Sequence, residues 1–413
     1  MTQDISLILP QAIIRIMGLS CTQIGFFAYS ENSQLRISHD RIASLPEHYD
    51  FLIALDANDI SEYQPQIKKS GVILYNENTI PTLRDHQWYD QERTYIPIAL
   101  DSFAKLWGPA AILKPFVALG ALAALIGLDI ETLFHYLPIN TEVLKTAYQD
   151  CITAGFGYIS GLDKQTSYQI KAISHDSSRL YISGFDAMCL ALRKVDATSI
   201  TAAEHSYSLF GQALKSSCQH YGIGELEGSA TLLAPLHLAS SLQSAYPHHV
   251  LIIHHHDETA LFAATSQANS YLVSDIGSLY SHIYLAMLKQ QIENKGTMIF
   301  VADHLLMSYQ TLHELPIPNE QMYEPYFVWG SERARICILG TGSSKGVIIE
   351  TQELLKIAEV STKYIHFDHN RDTANWLGAN NNQCELILIT TPLTSSEIPT
   401  LAIANQEISE WHD

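Results

Sequence analysis

LRIS at 35–38, DFLIALD at 50–56, GVILYN at 71–76, YIPIALD at 95–101 and FVALGALAALIGLD at 116–129 decide the reading of this chain. The first four are short apolar and β-branched runs bounded by turn residues; the fifth has the length of a helix. Their apolar residues run continuously instead of alternating. That predicts strands buried on both faces, as in a parallel sheet covered by helices. Strands are expected at Leu35–Ser38, Phe51–Asp56, Gly71–Tyr75 and Tyr95–Leu100, and helical periodicity fits 10–18, 101–107, 115–127 and 139–153.

Outward from this stretch, the polar segment Ser160–Asp176 reads as a linker. RLYISG (179–184) then opens a second unit as strand and turn, followed by a helix from Asp186. Helices are expected at 204–220, 257–268 and 276–293, with strands at 249–254 and 298–302. PNEQMYEPYFVWGSE (318–332) reads as a second linker, and RARICILGTGSSKGVIIETQELL (333–355) as strand, glycine turn and helix. The strands YIHFD and ELILIT follow.

Composition removes several classes of function. Of 413 residues, 47% are apolar and 16% charged, which is a folded chain with room for two or three domains. Net charge is −19, from 43 acids against 24 bases, so the chain lacks the basic surface that nucleic acid or an anionic membrane requires. The six cysteines are scattered without a CxxC pair, which argues against a cluster or Cys-rich zinc site and predicts buried thiols in a reducing cytoplasm. The N-terminus lacks a signal peptide's basic start and small-residue cleavage site. The longest apolar run, Pro115 to Leu128, spans about 21 Å as a helix, short of a hydrocarbon core of about 30 Å. It is expected to be a core or interface helix, and self-association is expected with it.

The wording of residues 35–131 resembles the gamma domain of 2-oxoacid:ferredoxin oxidoreductases. The matching elements are Arg36-Ile37-Ser38, Asp50 to Asp56, Gly71 to Asn76, Ile96-Pro97 and Val117 to Leu122. Members that fuse this domain to an alpha subunit continue with segments similar to ISGFDAMCLAL (182–192), EHSYSLFGQALKSS (204–217) and GTGSSKGVIIET (340–351). The resemblance implies an α/β fold in three parts. These are a gamma-like α/β domain at 1–155, a thiamine-diphosphate-fold-like (pyrimidine-type) alpha domain at 178–325, and a transketolase-C-terminal-like α/β domain at 333–413. It implies oxidative decarboxylation of a 2-oxoacid to acyl-CoA together with a beta subunit. Thiamine diphosphate and iron–sulfur clusters would come only through that beta subunit, and none is expected on this chain alone. A homo-oligomer or heterotetramer is expected, with ferredoxin as an indirect partner and no nucleic acid or membrane.

Several family loops are altered. The gamma domain's opening strand and GxGGxG turn are expected to be missing, because Met1–Ser20 matches only the following helix and Gly18 stands alone. The Arg-Gly-Gly turn that follows appears as Ser30-Glu31-Asn32-Ser33-Gln34, which leaves Ser30 and Glu31 as the candidates for coenzyme A or substrate. An arginine there would clamp a phosphate or carboxylate. YPITPS is absent, with Ser199-Ile200-Thr201 a remnant. Ser206 replaces the glutamate that activates the aminopyrimidine and cannot donate a proton as a carboxyl can. Glu204, two positions earlier, is the remaining catalytic candidate or an exposed helix acid. Glu227-Gly228-Ser229-Ala230-Thr231 replaces TSGPG; Ser229 and Thr231 would contact cofactor or cap a helix. The substrate loop is missing where His254-His255-His256-Asp257 stand. These imidazoles invite a metal reading, but adjacent strand residues face opposite ways, so no metal is assigned. A helix framework with altered loops leaves two readings: an alpha/gamma-type enzyme subunit, or a catalytically inactive scaffold or regulatory relative.

Overall fold

In a computed structural model, residues 4–42, 44–82, 89–138, 142–162, 168–170, 179–194, 199–202, 224–226, 249–254, 269–273, 280, 297–301, 308–312, 326–331, 334, 336–341, 344–367 and 386–389 are described. The chain opens with β1 (Asp4–Ile8), α1 (Gln11–Gln23), β2 (Phe27–Glu31), β3 (Gln34–Ser38), β4 (Tyr49–Ala54) and α2 (Ala57–Tyr63). Next come β5 (Ile67–Asn76), β6 (Thr94–Ile98), α3 (Leu100–Ala104), α4 (Ala110–Ile126), α5 (Ile130–Phe134) and α6 (Glu142–Ser160). β7 (Leu180–Ser183), α7 (Gly184–Lys194), β8 (Ser199–Ala202), β9 (Gly224–Leu226), β10 (His249–His254), β11 (Asn269–Val273) and β12 (Thr297–Val301) follow. The last elements are β13 (Tyr309–Leu312), β14 (Tyr326–Gly330), β15 (Ile336–Thr341), α8 (Ser344–Ile357), β16 (Thr362–Phe367) and β17 (Leu386–Ile389). The architecture is α/β, as expected, and among the described residues no helix is long and apolar enough to cross a membrane.

Cα proximity divides the chain into two compact units, the first made of 1–194, 210–224 and 303–316, the second of 195–209, 225–302 and 317–413. The first unit carries an eight-stranded sheet in the order β6-β5-β4-β1-β3-β2-β13-β7. The parallel sheet expected from the apolar runs is one half of it: β1, β4, β5 and β6 pair in parallel. β3 does not join that pattern. It forms an antiparallel hairpin with β2 and lies antiparallel to β1. The opening strand expected to be missing is present as β1, with every side chain after Asp4 buried. Strands β7 and β13, from the part of the sequence assigned to the alpha-like domain, complete this same sheet.

Helices cover both faces. Ile13, Met17, Phe116, Leu119, Leu122 and Ile152 of α1, α4 and α6 join Ile5, Leu7, Phe51, Ile53 and Ile96 in one core. Ile60 of α2 closes a smaller core with Ile8, Leu52, Ile73 and Tyr75 on the other face. α4 begins at Ala110, before the expected 115, and runs through Pro115, which lacks the amide to bond the previous turn. It is largely buried from Leu113 onward, its first turn leaving Ile112 exposed, and it ends at left-handed Gly127, φ 70°. From Leu113 to Ile126 its apolar surface is spent on the interior, which makes that part a core helix. α4 and α6 touch backbone to backbone. A Cβ at Gly120 would enter the Ile152 carbonyl, and one at Gly155 the Val117 carbonyl.

Asp50, at the start of β4, ties four segments together with a side chain only 2% exposed. Its Oδ2 accepts from the Ser6 amide at 2.9 Å and the Ser6 hydroxyl at 2.8 Å. Its Oδ1 accepts from Lys68 at 2.8 Å and Tyr168 at 2.6 Å. Lys68 reaches it because β5 bulges: Tyr49 pairs with Ile67, but Phe51 pairs with Val72. At the far edge of the sheet, β6 carries Pro97, whose carbonyl accepts from Tyr158 at 3.2 Å.

The second unit contains a five-stranded sheet, β11-β12-β10-β8-β9, and a four-stranded one, β14-β16-β15-β17. β15 is parallel to β16 and β17, and the turn after it leads into α8 as expected. β14 falls inside the segment read as a second linker; its aromatic run pairs antiparallel with β16. α8 ends in a reciprocal cap, with Val360 N–H bonded to the Leu355 carbonyl and Glu359 N–H to that of Lys356. Glu359 therefore sits at φ 60°, a conformation that suits glycine. Glu359→Gly is expected to stabilise this end by about 0.5–1 kcal/mol, the relieved strain less the extra freedom of unfolded glycine. Amide exchange in the last turn of α8 should slow about two- to fivefold; unchanged or faster exchange would refute it.

Candidate functional site

Open α/β sheets bind ligands outside the carboxyl ends of their strands, where neighbouring strands send their connections to opposite sides. Here that point lies between β1 and β4. β1 leads into α1 on one face, and β4 leads into α2 on the other. Two loops border the crevice, Leu9-Pro10 and Leu55-Asp56.

The first loop offers few donors. Leu9 N–H bonds to the Ser33 carbonyl at 2.8 Å, and Pro10, the N-cap of α1, has no amide and no capping side chain. The second loop caps α2. Asp56 Oδ1 accepts from the Asn58 and Asp59 amides at 2.9 and 3.3 Å, and Asp59 Oδ2 accepts from the Leu55 and Asp56 amides at 2.7 and 3.2 Å. Burial raises the Asp59 carboxyl above its ordinary value, with the nearby Asp56 charge adding to it and the two amides opposing. Tyr63, at the end of α2, hydrogen-bonds with Glu62 and Ser33. Burial raises its phenol, and the Glu62 carboxylate raises it further. The crevice is thus bordered by two backbone-bonded carboxylates, Asp56 and Asp59, and the β2–β3 turn meets it through Ser33, which bonds Leu9 and Tyr63.

Ser30 and Glu31 close that turn. Asn32 takes φ 51°, which asparagine tolerates better than most residues, and Glu31 pairs with Gln34. Ser30 is 1% exposed, and its hydroxyl shares a 2.7 Å hydrogen bond with the Tyr181 hydroxyl. It faces the sheet's interior seam, not the solvent, whereas Glu31 is half-buried at the hairpin tip. Ser199-Ile200-Thr201 lie in β8, an inner strand parallel to β10. His254 ends β10, while His255, His256 and Asp257 lie outside the described residues. So do Glu204, Ser206, Ser229 and Thr231, and with them the candidate thiamine contacts. Among the described residues no group of three or more His, Cys, Asp or Glu is placed to hold a metal. Cys21, Cys151, Cys189 and Cys337 are buried, and burial pushes the Cys21 and Cys151 thiols up to about 12.

Two groupings escaped the sequence. One is the Asp50 cluster. The other is the seam around Tyr181, where the only signal was Gly18, an isolated glycine within a helical pattern. Such a glycine marks a close approach, and the Tyr181 ring occupies the space its Cβ would take.

The fold and crevice define a doubly wound α/β protein with a second α/β unit. Residues 29–145 match the family model of pyruvate ferredoxin/flavodoxin oxidoreductase, so that stretch of the chain is similar to this family. Its fold is similar to a 2-oxoglutarate:ferredoxin oxidoreductase from Magnetococcus marinus, solved with 2-oxoglutarate, coenzyme A and succinyl-CoA bound. That likeness covers 96% of this chain and 93% of the other, at 12% identity and a TM-score of 0.77. A keto/oxoacid ferredoxin oxidoreductase gamma subunit from Geobacter sulfurreducens PCA is similar over 39% of this chain and 98% of its own, at 18% identity and a TM-score of 0.32. Pyruvate oxidoreductase subunit PORC from Thermotoga maritima is similar over 38% and 96%, at 14% identity and a TM-score of 0.28. No curated protein matches the chain in sequence.

Coenzyme A brings phosphates, which bind where backbone amides and arginines converge. At the β1–β4 crevice the Leu9 amide is spent, Pro10 has none, and Asp56 and Asp59 supply negative charge. The residues of this crevice do not fit a phosphate-bearing group.

Proposed function

We propose that this chain is the alpha/gamma-type subunit of a cytoplasmic 2-oxoacid:ferredoxin oxidoreductase that acts with a beta subunit. The observation that carries this reading is the extent of the fold likeness. It runs over 96% of the chain, well beyond the residues 29–145 that match the family model. The sequence units 1–155, 178–325 and 333–413 would then be the gamma-like, pyrimidine-type and C-terminal α/β domains. Thiamine diphosphate and iron–sulfur clusters would arrive with the beta subunit and supply the decarboxylation and electron-transfer chemistry. Contacts between subunits, in a heterotetramer or homo-oligomer, would use surfaces other than the part of α4 from Leu113 to Ile126, which is buried within its own unit.

A second reading is favoured by the β1–β4 crevice. A loop without glycine, with a spent amide and two nearby carboxylates, suits a relative that keeps the framework as a scaffold or regulator without turnover. Coexpression with a beta subunit from the neighbouring reading frame separates the two. The enzyme reading expects a stable complex that reduces a viologen dye with a 2-oxoacid and coenzyme A. A stable complex with no turnover establishes the scaffold reading, and no complex at all sinks both.

A further inference from the structure

Residues 168–170, within the stretch expected to be a linker, are docked against the start of β4 and the end of α4. The Tyr168 hydroxyl donates to Asp50 Oδ1 at 2.6 Å, and its ring meets Phe51 edge-on at 5.1 Å between centroids. The Ile170 amide donates to the Ile126 carbonyl at 2.7 Å. Ile126 is the last residue of α4, where carbonyls are left without an intrahelical partner. The Ile170 side chain, 4% exposed, joins the same core as Phe51 and Ile126. Between these two anchors Gln169 is exposed and passes beside Gly127.

The attachment has a polar pin on an acceptor that is complete without it. A hydroxyl that donates to a carboxylate makes a stronger bond than a neutral pair. Asp50 is nevertheless held from other sides. The Ser6 amide and hydroxyl bind its Oδ2, and Lys68, brought in by the β5 bulge, binds its Oδ1. When the phenol leaves, those three bonds remain and no buried charge is stranded. The Tyr168 side chain is itself half-buried, so its hydroxyl can return to water. Segments that rest on a fold with part of their length exposed open locally, at a lower free energy than the elements beneath them.

We propose that residues 168–170 form a releasable strap, with the Tyr168 hydroxyl as its pin. Closed, the strap covers the edge of Phe51 and caps the end of α4. Open, it gives up both contacts while the sheet and α4 stay folded. The two states then differ in the exposure of Ile170, of the Phe51 edge and of the Ile126 carbonyl. Ordering and release of one segment is among the forms that conformational switches take. Both states are compatible with turnover of a 2-oxoacid, because the strap lies at the end of β4 away from the Leu55-Asp56 crevice.

Amide hydrogen exchange in the full-length chain, corrected for intrinsic rates, tests this. The Ile170 amide should exchange at least about tenfold faster than the Leu122 amide in the middle of α4, and with little dependence on low urea concentrations. Tyr168→Phe keeps the ring on Phe51 and removes only the pin. It should speed exchange at Ile170 about tenfold, the loss expected for a hydrogen bond to a charged group, and leave Leu122 unchanged. Tyr158→Phe removes a phenol bonded to a neutral carbonyl, that of Pro97, and should change neither amide. Equal exchange at Ile170 and Leu122 in the native chain overturns the proposal, because the strap would then open only when the unit unfolds. A Tyr168→Phe variant in which Ile170 is unchanged overturns it too, as does one in which both amides speed up alike. Faster exchange at Ile170 in Tyr158→Phe as well overturns the assignment of the pin.

Discussion

Gly120→Ala and Gly155→Ala should each destabilise the first unit by about 4 kcal/mol, a large share of the roughly 5–15 kcal/mol that holds a domain folded. The obstacle at each glycine is a backbone carbonyl, of Ile152 and Val117 respectively, and a carbonyl within a helix cannot swing aside as a side chain can. The helices α4 and α6 must part, and Phe116, stacked on Tyr148 at 4.1 Å, loses its packing with them. Gly157, on the same helix α6, has nothing within 4 Å of where a Cβ would lie. Gly157→Ala should therefore be neutral or stabilising by up to about 1 kcal/mol, as expected for a helix interior. Urea unfolding of the three variants checks the contrast. Equal midpoints would show that the helices do not touch at those glycines.

Asp50→Asn should cost about 3 kcal/mol and change the response to acid. An amide places donors against donors, because the carboxylate accepts from Ser6, Lys68 and Tyr168. Most of the loss arises at Ser6 and Tyr168. The Lys68 side chain is 43% exposed, so solvent screens the ion pair itself. Burial alone would raise the Asp50 carboxyl, but hydrogen bonds from Lys68, Tyr168 and Ser6 outweigh it and hold the group below its ordinary value of 3.8. A carboxyl lowered on folding contributes its stability above the unfolded pKa of about 4 and loses it as pH falls through the folded value. The native chain should accordingly weaken in a step below pH about 4 that Asp50→Asn lacks. Urea midpoints between neutral and acid pH measure this. A variant with the same acid step would show that Asp50 does not carry it.

Much of the first sheet was legible because β4 and the second half of β5 are buried on both faces and read as unbroken apolar runs, and β6 is a short apolar run bounded by turn residues. β1 was not, since DISLI runs through Leu9 and Pro10 directly into the apolar start of α1, with no polar break between strand and helix. The direction of β3 was hidden because its turn, Asn32-Ser33, lacks the glycine that usually signals a hairpin. β14 escaped because its aromatic run lies among proline, asparagine and glycine, the residues of a linker. The seam could not have been read at all. Ser30 and Tyr181 are 151 residues apart, Thr22 and Thr311 are 289 apart, and no local pattern encodes a partner at that distance. The crevice was legible in outline, since the absence of glycine and arginine was visible. That its amide is spent on Ser33 was not.

Pro97 gives the large sheet a terminus. A strand with a free edge is a template on which other chains can grow, and many folded proteins aggregate by that route. β6 blunts its own edge twice: one position has no amide to offer, and the carbonyl of that same residue is already bound by Tyr158. Growth of ordered polymers from this end is therefore disfavoured, and the chain can be concentrated without that end seeding fibres.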